Sequence, residues 1–271
     1  MRDEPVTPDG SGYVARMAVF ALWSAPRARS TAFFRSMLER GDLLALHEPL
    51  EGLTYFGATE IEGRTFESAP SLLAWLRDDT RPVDVFLKET TDPQVRRAVL
   101  ADRRFLAEAS HAFLIRRPEE IAASLHAVIT AIQEQDPDYP DMDIDSIGLD
   151  GLLELHTAVA RAGGRPPVVI DAADLSARPA ATMAAYCAAV GLPFLPQALT
   201  WEPGERPEWR RSARWHAEVA ASSGFHADRR RHARTVETSE DLARFAAHHR
   251  PSYEHLHRLR LDVAAAPATD G

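Results

Sequence analysis

The stretch M17-A-V-F-A-L-W-S-A-P-R-A-R-S-T-A-F-F-R-S-M37 decides how the chain folds. Its first seven residues, Met17–Trp23, form a short apolar run closed by a Ser/Pro turn, the pattern of a strand buried on both faces. Phe33, Phe34, Met37 and Leu38 then recur at helical spacing. A strand, a tight turn and a helix N-terminus together make an anion site, because free backbone N–H groups and the positive helix end face the same ligand. The candidate loop is Ser24, Pro26, Arg27, Ala28, Arg29, Ser30 and Thr31. Arg27 and Arg29 add charge, and Ser30 and Thr31 add hydroxyl donors on the first turn. The plainer alternative is an ordinary capped helix with surface arginines. An ATP-type loop is a poor fit, since that loop needs glycines and a lysine that are missing here.

Outward from this unit, Leu43–Leu46, Val83–Leu87, Ala112–Ile115 and Val168–Ile170 are further short apolar runs that read as strands. Pro118 opens a helix through about Gln133, with Glu119 and Glu120 suiting its dipole. Another helix spans Pro179–Val190 and stops at Gly191. Alternating strands and helices predict an α/β fold: a P-loop-like parallel sheet flanked by helices, with helical insertions forming a lid. Ligands of such sheets bind at the carboxyl ends of the strands. The segments 50–80 and 136–165 and the helices after 205 are expected to supply the lid and the acceptor side. The Asp-rich 136–145 reads as a loop, without the spacing, glycine or terminal glutamate of an EF-hand. The expected division is a disordered arm over 1–16, one domain over 17–262 and a frayed tail over 263–271.

Five more candidate residues lie at or just after strands. Arg116 closes Ala112–Ile115, and Ser124 lies two turns into the next helix, so an arginine fork and a hydroxyl can meet on one phosphate. His47 and Glu48 follow the second strand, and either can take a proton from a hydroxyl. Lys88 ends the third strand; an ion pair with Glu89 is the structural alternative.

The loop W-S-A-P-R-A-R-S-T-A and the segment F-L-I-R-R-P-E-E-I-A-A-S-L resemble the 5′-phosphosulfate and 3′-phosphate motifs of the sulfotransferase family. The loop is closest to the bacterial branch that reads W-S-x-P-R-x-x-S-T-A. Many members carry Ser-Gly where this chain has Ala28-Arg29. The stretch V-V-I-D-A-A-D-L and then G-L-P extends the resemblance over about residues 17–200. It implies a 3′-phosphoadenylyl sulfate donor, no metal, and transfer of a sulfuryl group to a hydroxyl or amine of a small-molecule acceptor. It also implies Glu48 as general base, with His47 as its competitor, and Lys88 as a helper of the transferring group. The alternatives are sulfation that activates a leaving group for elimination or cyclisation, and nucleotide binding without transfer. The family's nucleotide-closing loop has Ser222–Phe225 with Arg229, Arg230 and Arg231 as its candidate here.

The 271 residues carry a net charge of −9, which speaks against a nucleic-acid partner. No apolar stretch reaches the ~20 residues of a membrane span, and the polar start is unlike a signal peptide. The single cysteine, Cys187, sits in an apolar helical run and suits a buried role in a cytoplasmic, reducing setting. His248/His249 and His255/His257 show no metal-binding spacing. The tryptophans Trp201, Trp209 and Trp215 read as core, with adenine stacking as the alternative. Oligomeric state is left open by the sequence.

Overall fold

The computed structural model describes residues 17–78, 83–139, 148–225 and 232–263. The expected N-terminal arm, most of the Asp-rich loop, most of the tail and Arg229–Arg231 lie outside the described residues.

Five strands form one parallel sheet: β1 (Val19–Ser24), β2 (Leu44–His47), β5 (Val85–Thr90), β6 (Ser110–Ile115) and β7 (Val168–Asp171), in the order β2-β5-β1-β6-β7. β1, β5, β6 and β7 are buried along their whole length, which is why each shows a short apolar run. Their side chains still alternate between two cores. Val19, Ala21, Trp23, Val85, Leu87, Phe113 and Val169 face one; Phe20, Leu22, Phe86, Leu114 and Ile170 face the other. The first core is completed by α3 (Ala69–Asp78), α4 (Pro93–Ala101), α5 (Arg103–Glu108), α7 (Leu149–Ala162) and α11 (Glu240–Arg258). The second is completed by α1 (Ser30–Glu39), α8 (Ala172–Ala177), α9 (Pro179–Val190) and Trp209. α6 (Pro118–Gln135) links β6 to the first core through Ile121 and Ala122. Cys187 is buried on α9.

Two boundaries differ from expectation in ways that matter. β5 runs on through Lys88, Glu89 and Thr90, so Lys88 is not at a strand end but buried within it. Alternation sends Lys88 and Glu89 to opposite faces, which removes the expected surface pair between them. Within 50–80, a two-stranded hairpin, β3 (Thr59–Ile61) and β4 (Arg64–Phe66), separates α2 (Pro49–Phe56) from α3. Glu62 and Gly63 turn it with φ of 48° and 76°. Positive φ at both residues is the type I′ hairpin turn, which matches the twist of the strands it joins. The region after 205 carries a 3-10 segment, Pro207–Trp215, and a short α10 (Ala217–Ala220).

Candidate active site

The loop between β1 and α1 is held in an uncommon conformation. Arg27 and Arg29 both adopt left-handed φ, 63° and 67°. For a side chain with a Cβ this costs roughly 1–2 kcal/mol, and glycine takes it freely. At Arg29 the turn that glycine takes freely therefore carries a guanidinium. Arg29 gives α1 no side-chain cap, and the first intrahelical bond runs from Phe33 N to Arg29 O at 3.2 Å. The amides of Ser30, Thr31 and Ala32 therefore precede the hydrogen-bonded ladder, at the positive end of the helix. Arg29→Gly is expected to leave stability unchanged or raise it by about 1 kcal/mol, read as the urea midpoint; a clear loss would show that the arginine side chain, not the turn, holds the loop.

Arg27 stands where the two predicted phosphate motifs meet. Its Nε donates to Ser124 Oγ at 3.1 Å, and its Nη1 donates to Trp215 O at 2.8 Å. Its Nη2 lies 3.3 Å from Glu218. Arg116, buried at the end of β6, donates from Nη1 to Arg27 O at 2.8 Å and from Nε to Glu120 at 2.9 Å. The Arg116–Arg27 bond fixes the strained carbonyl of the loop, so this arginine both faces the cavity and braces its floor.

A second cluster follows from strand register. His47 on β2 sits beside Lys88 on β5, and Glu48 N donates to Lys88 O at 2.7 Å. That places the Glu48 carboxylate against the Lys88 ammonium, with Glu48 Oε2 at 3.5 Å from His47 Nδ1. Burial pushes the Glu48 carboxyl up, but Lys88, His47 and His216 together more than offset it and hold it well below the usual range. Glu48 itself is left-handed, φ 50°, and gives α2 no side-chain cap. The cap comes instead from β5: buried Glu89 accepts from Leu50 N at 2.5 Å. Burial raises Glu89 well above the ordinary carboxyl range, and burial together with Glu48 does the same to Glu51.

His216 ties the two clusters together. Its Nδ1 is 3.0 Å from Thr31 Oγ1 on α1, and its Nε2 is 3.0 Å from Ser212 Oγ. Its ring meets His47 edge-on at 4.9 Å. Burial lowers His47 to about 4 and His216 to about 2, so both rings are neutral at pH 7. A ligand atom from each of His47, Glu48 and His216 lies within 4.8 Å of the other two, a spacing open to a metal ion. The Lys88 ammonium on Glu48 and the occupied ring nitrogens of His216 favour a hydrogen-bonded network there instead.

All of this opens into one cavity of about 1720 Å3. Pro26, Arg27, Arg29, Ser30, Thr31, His47, Glu48, Lys88, Arg116 and Ser124 line it. Ser24 and Ala28 do not: both are fully buried, and Ser24 Oγ has no hydrogen-bond partner among the described residues. The match to known families is equally continuous, since the family model described as Sulfotransferase domain covers residues 17–249. The chain belongs to the sulfotransferase domain family.

Among curated proteins, this sulfotransferase domain is 28% identical over 224 residues to branched-chain-amino-acid aminotransferase-like protein 2 of Arabidopsis thaliana. It is 25% identical over 221 residues to branched-chain-amino-acid aminotransferase-like protein 1 of the same plant. The alignments cover 77% and 78% of this chain but 36% and 37% of those proteins, so the chain spans little more than a third of their length. Two solved structures are similar: the sulfotransferase domain from the curacin biosynthetic pathway (TM-score 0.48, 11% identity) and that from the Synechococcus PCC 7002 olefin synthase (TM-score 0.46, 13% identity). Each covers 88% of this chain, and 98% and 96% of the respective neighbour is covered.

Within the sulfotransferase domain, several wall residues carried no sequence signal. His216, Glu51 and Tyr55 all reach the cavity. Tyr55 and Phe56 stay largely exposed on its α2 side, and Arg211 lies over the Phe56 ring at 5.0 Å. Trp209 and Trp201 are buried, as a core reading requires, and Trp209 and Trp215 both line the cavity. Of the expected closing loop, Ser222 and Gly224 line the cavity.

Proposed function

We propose that the chain transfers a sulfuryl group from 3′-phosphoadenylyl sulfate to a hydroxyl, or an amine, of a small-molecule acceptor. The observation that carries this reading is the single cavity that joins the loop–helix cradle, the Arg116/Ser124 pair and the Glu48–Lys88 pair. The cradle suits a nucleotide phosphorylated at both ends of its ribose: cationic and amide donors gather at α1, and a second arginine and a hydroxyl gather beside Arg27. When bound, such a donor supplies an activated sulfuryl group whose leaving oxygen is on the 5′-phosphate. The residues of the chain divide the remaining work. The first-turn amides of α1, Arg27 and Thr31 face the place where leaving-group charge grows, and fixed donors there are the largest single source of rate in such reactions. Arg116 and Ser124 hold the 3′-phosphate. Lys88 neutralises charge on the transferring group, and Glu48 accepts the acceptor's proton.

A pairing in which Lys88 turns from Glu48 to a sulfuryl oxygen resolves an electrostatic conflict. A carboxylate held low by an ammonium is a weak base, and release of that ammonium restores its basicity. Tyr55, Phe56 and Arg211 line the side left for the acceptor. A bacterial, cytoplasmic enzyme without a catalytic metal completes the proposal.

Adenosine 3′,5′-bisphosphate is expected to bind about 30–3,000-fold more tightly than AMP, the worth of desolvated charged contacts to one phosphate. Titration calorimetry measures the ratio. Equal affinities would remove the nucleotide assignment, whichever acceptor is later tried.

A further inference from the structure

Away from the cavity, the first turn of α7 meets the middle of α11 through a polar contact. Asp150 receives a hydrogen bond from Ser252 on its Oδ1. The same carboxylate has His248 Nε2 at 3.0 Å from Oδ2 and His249 Nδ1 at 3.6 Å from Oδ1. A ligand atom from each of the three residues lies within 4.8 Å of the other two. Neighbours on a helix point about 100° apart, so two consecutive histidines face one group only where that group stands between them. Asp150 does, and the two rings meet at 4.7 Å and 73°.

The inner ring is fixed. Phe245 packs edge-on against His249 at 4.5 Å, and Gly148 lies against its Nε2 edge. A Cβ on Gly148 would fall 2.0 Å from His249 Nε2, so only glycine lets the backbone approach this closely. The outer groups are open: the side chains of His248 and Asp150 are 57% and 47% exposed. Ser252 orients the carboxylate as the outer partners of metal ligands do.

We propose that Asp150, His248 and His249 form a binding site for a divalent transition-metal cation of the zinc type. Imidazole nitrogen and carboxylate oxygen are its usual ligands, and bonds of ~2.0–2.2 Å in a tetrahedron put ligand atoms about 3.3–3.5 Å apart. The observed contacts, 3.0 Å from His248 Nε2 to Asp150 Oδ2 and 3.6 Å from His249 Nδ1 to Asp150 Oδ1, are of that order and fall one on each carboxylate oxygen. Water fills the remaining position. The ion clasps α7 to α11, and none of its ligands lines the large cavity, so its role is structural.

Zinc chloride titrated into the tag-free full chain, followed by calorimetry and thermal denaturation, tests this. The parent should take up ~1 equivalent, and its melting temperature should rise by about 5 °C with zinc ~100-fold above the dissociation constant. His248→Gln, at an exposed position, should fold normally, bind at least ~10-fold more weakly and lose the thermal shift; Asp150→Asn should follow it. Glu48→Gln should bind zinc like the parent. No uptake by the parent, unchanged uptake by His248→Gln, or uptake lost only in Glu48→Gln would each overturn the site.

Discussion

Arg116→Ala is expected to abolish most of the preference for adenosine 3′,5′-bisphosphate over AMP and to weaken bisphosphate binding by about 2–5 kcal/mol. That is the range for truncating one partner of a buried charged pair. Arg116 has two separable duties in the structure. It faces the cavity, and it donates to the strained Arg27 carbonyl. The nucleotide pair tells them apart. If Arg116 holds the 3′-phosphate, bisphosphate affinity collapses towards that of AMP while AMP affinity barely moves. If it only braces the loop, both affinities fall together and their ratio survives. Ser124→Ala is the companion measurement. Its Oγ accepts from the charged Arg27 Nε, so its loss should cost a charged hydrogen bond's worth, about 1.5–3 kcal/mol.

The sheet and half of the site were legible for the same reason: their signals are local. β1, its turn and α1 are contiguous, and the buried strands announce themselves as apolar runs because both faces are covered. Arg116 and Ser124 are close in sequence, so a strand end followed by a helix places them without any knowledge of the rest. The Lys88 end of the site was misread because β5 continues past the apolar run into Lys88, Glu89 and Thr90. Polar residues buried in a strand look like a loop until their partners are known. Those partners are Glu48 for Lys88 and the α2 amide of Leu50 for Glu89. Both depend on the register between β2 and β5, which no local pattern specifies. His216 is the same case at longer range. It sits after a 3-10 segment of charged residues with no apolar periodicity, and only the tertiary fold sets it between Thr31 and His47. Asp150 and its histidines escape for this reason too, since metal spacing was sought along one helix rather than across two.

Glu48→Gln is expected to lose ~10²–10⁴-fold in turnover, the usual worth of a general base, while binding adenosine 3′,5′-bisphosphate like the parent. Glu48 is better placed than His47 for the role. Its side chain is 13% exposed to the cavity against 2% for His47, whose Nε2 is buried with no hydrogen-bond partner among the described residues. His47→Gln should therefore lose less. Burial keeps the His47 ring neutral at pH 7, with its value near 4, so charge state does not separate the two candidates; geometry does. The substitution also takes the counter-charge from buried Lys88, and leaving an ion unpaired costs stability. Melting temperature and nucleotide affinity measured on the same preparation separate that loss from the chemistry. In the free parent enzyme Lys88, with His47 and His216, holds Glu48 ionised far below neutrality, so kcat/KM should not fall as pH drops from 7 towards 5 on account of this group, while kcat reports the loaded enzyme. A fall in kcat through that window that persists in His47→Gln would mean that Lys88 has already left Glu48 in the loaded enzyme and that its carboxyl has risen. A reversed order, with His47→Gln the slower enzyme, would make the imidazole the base and Glu48 its orienting partner. If both variants turn over like the parent, neither group takes the proton, and the acceptor must be an amine or arrive ionised.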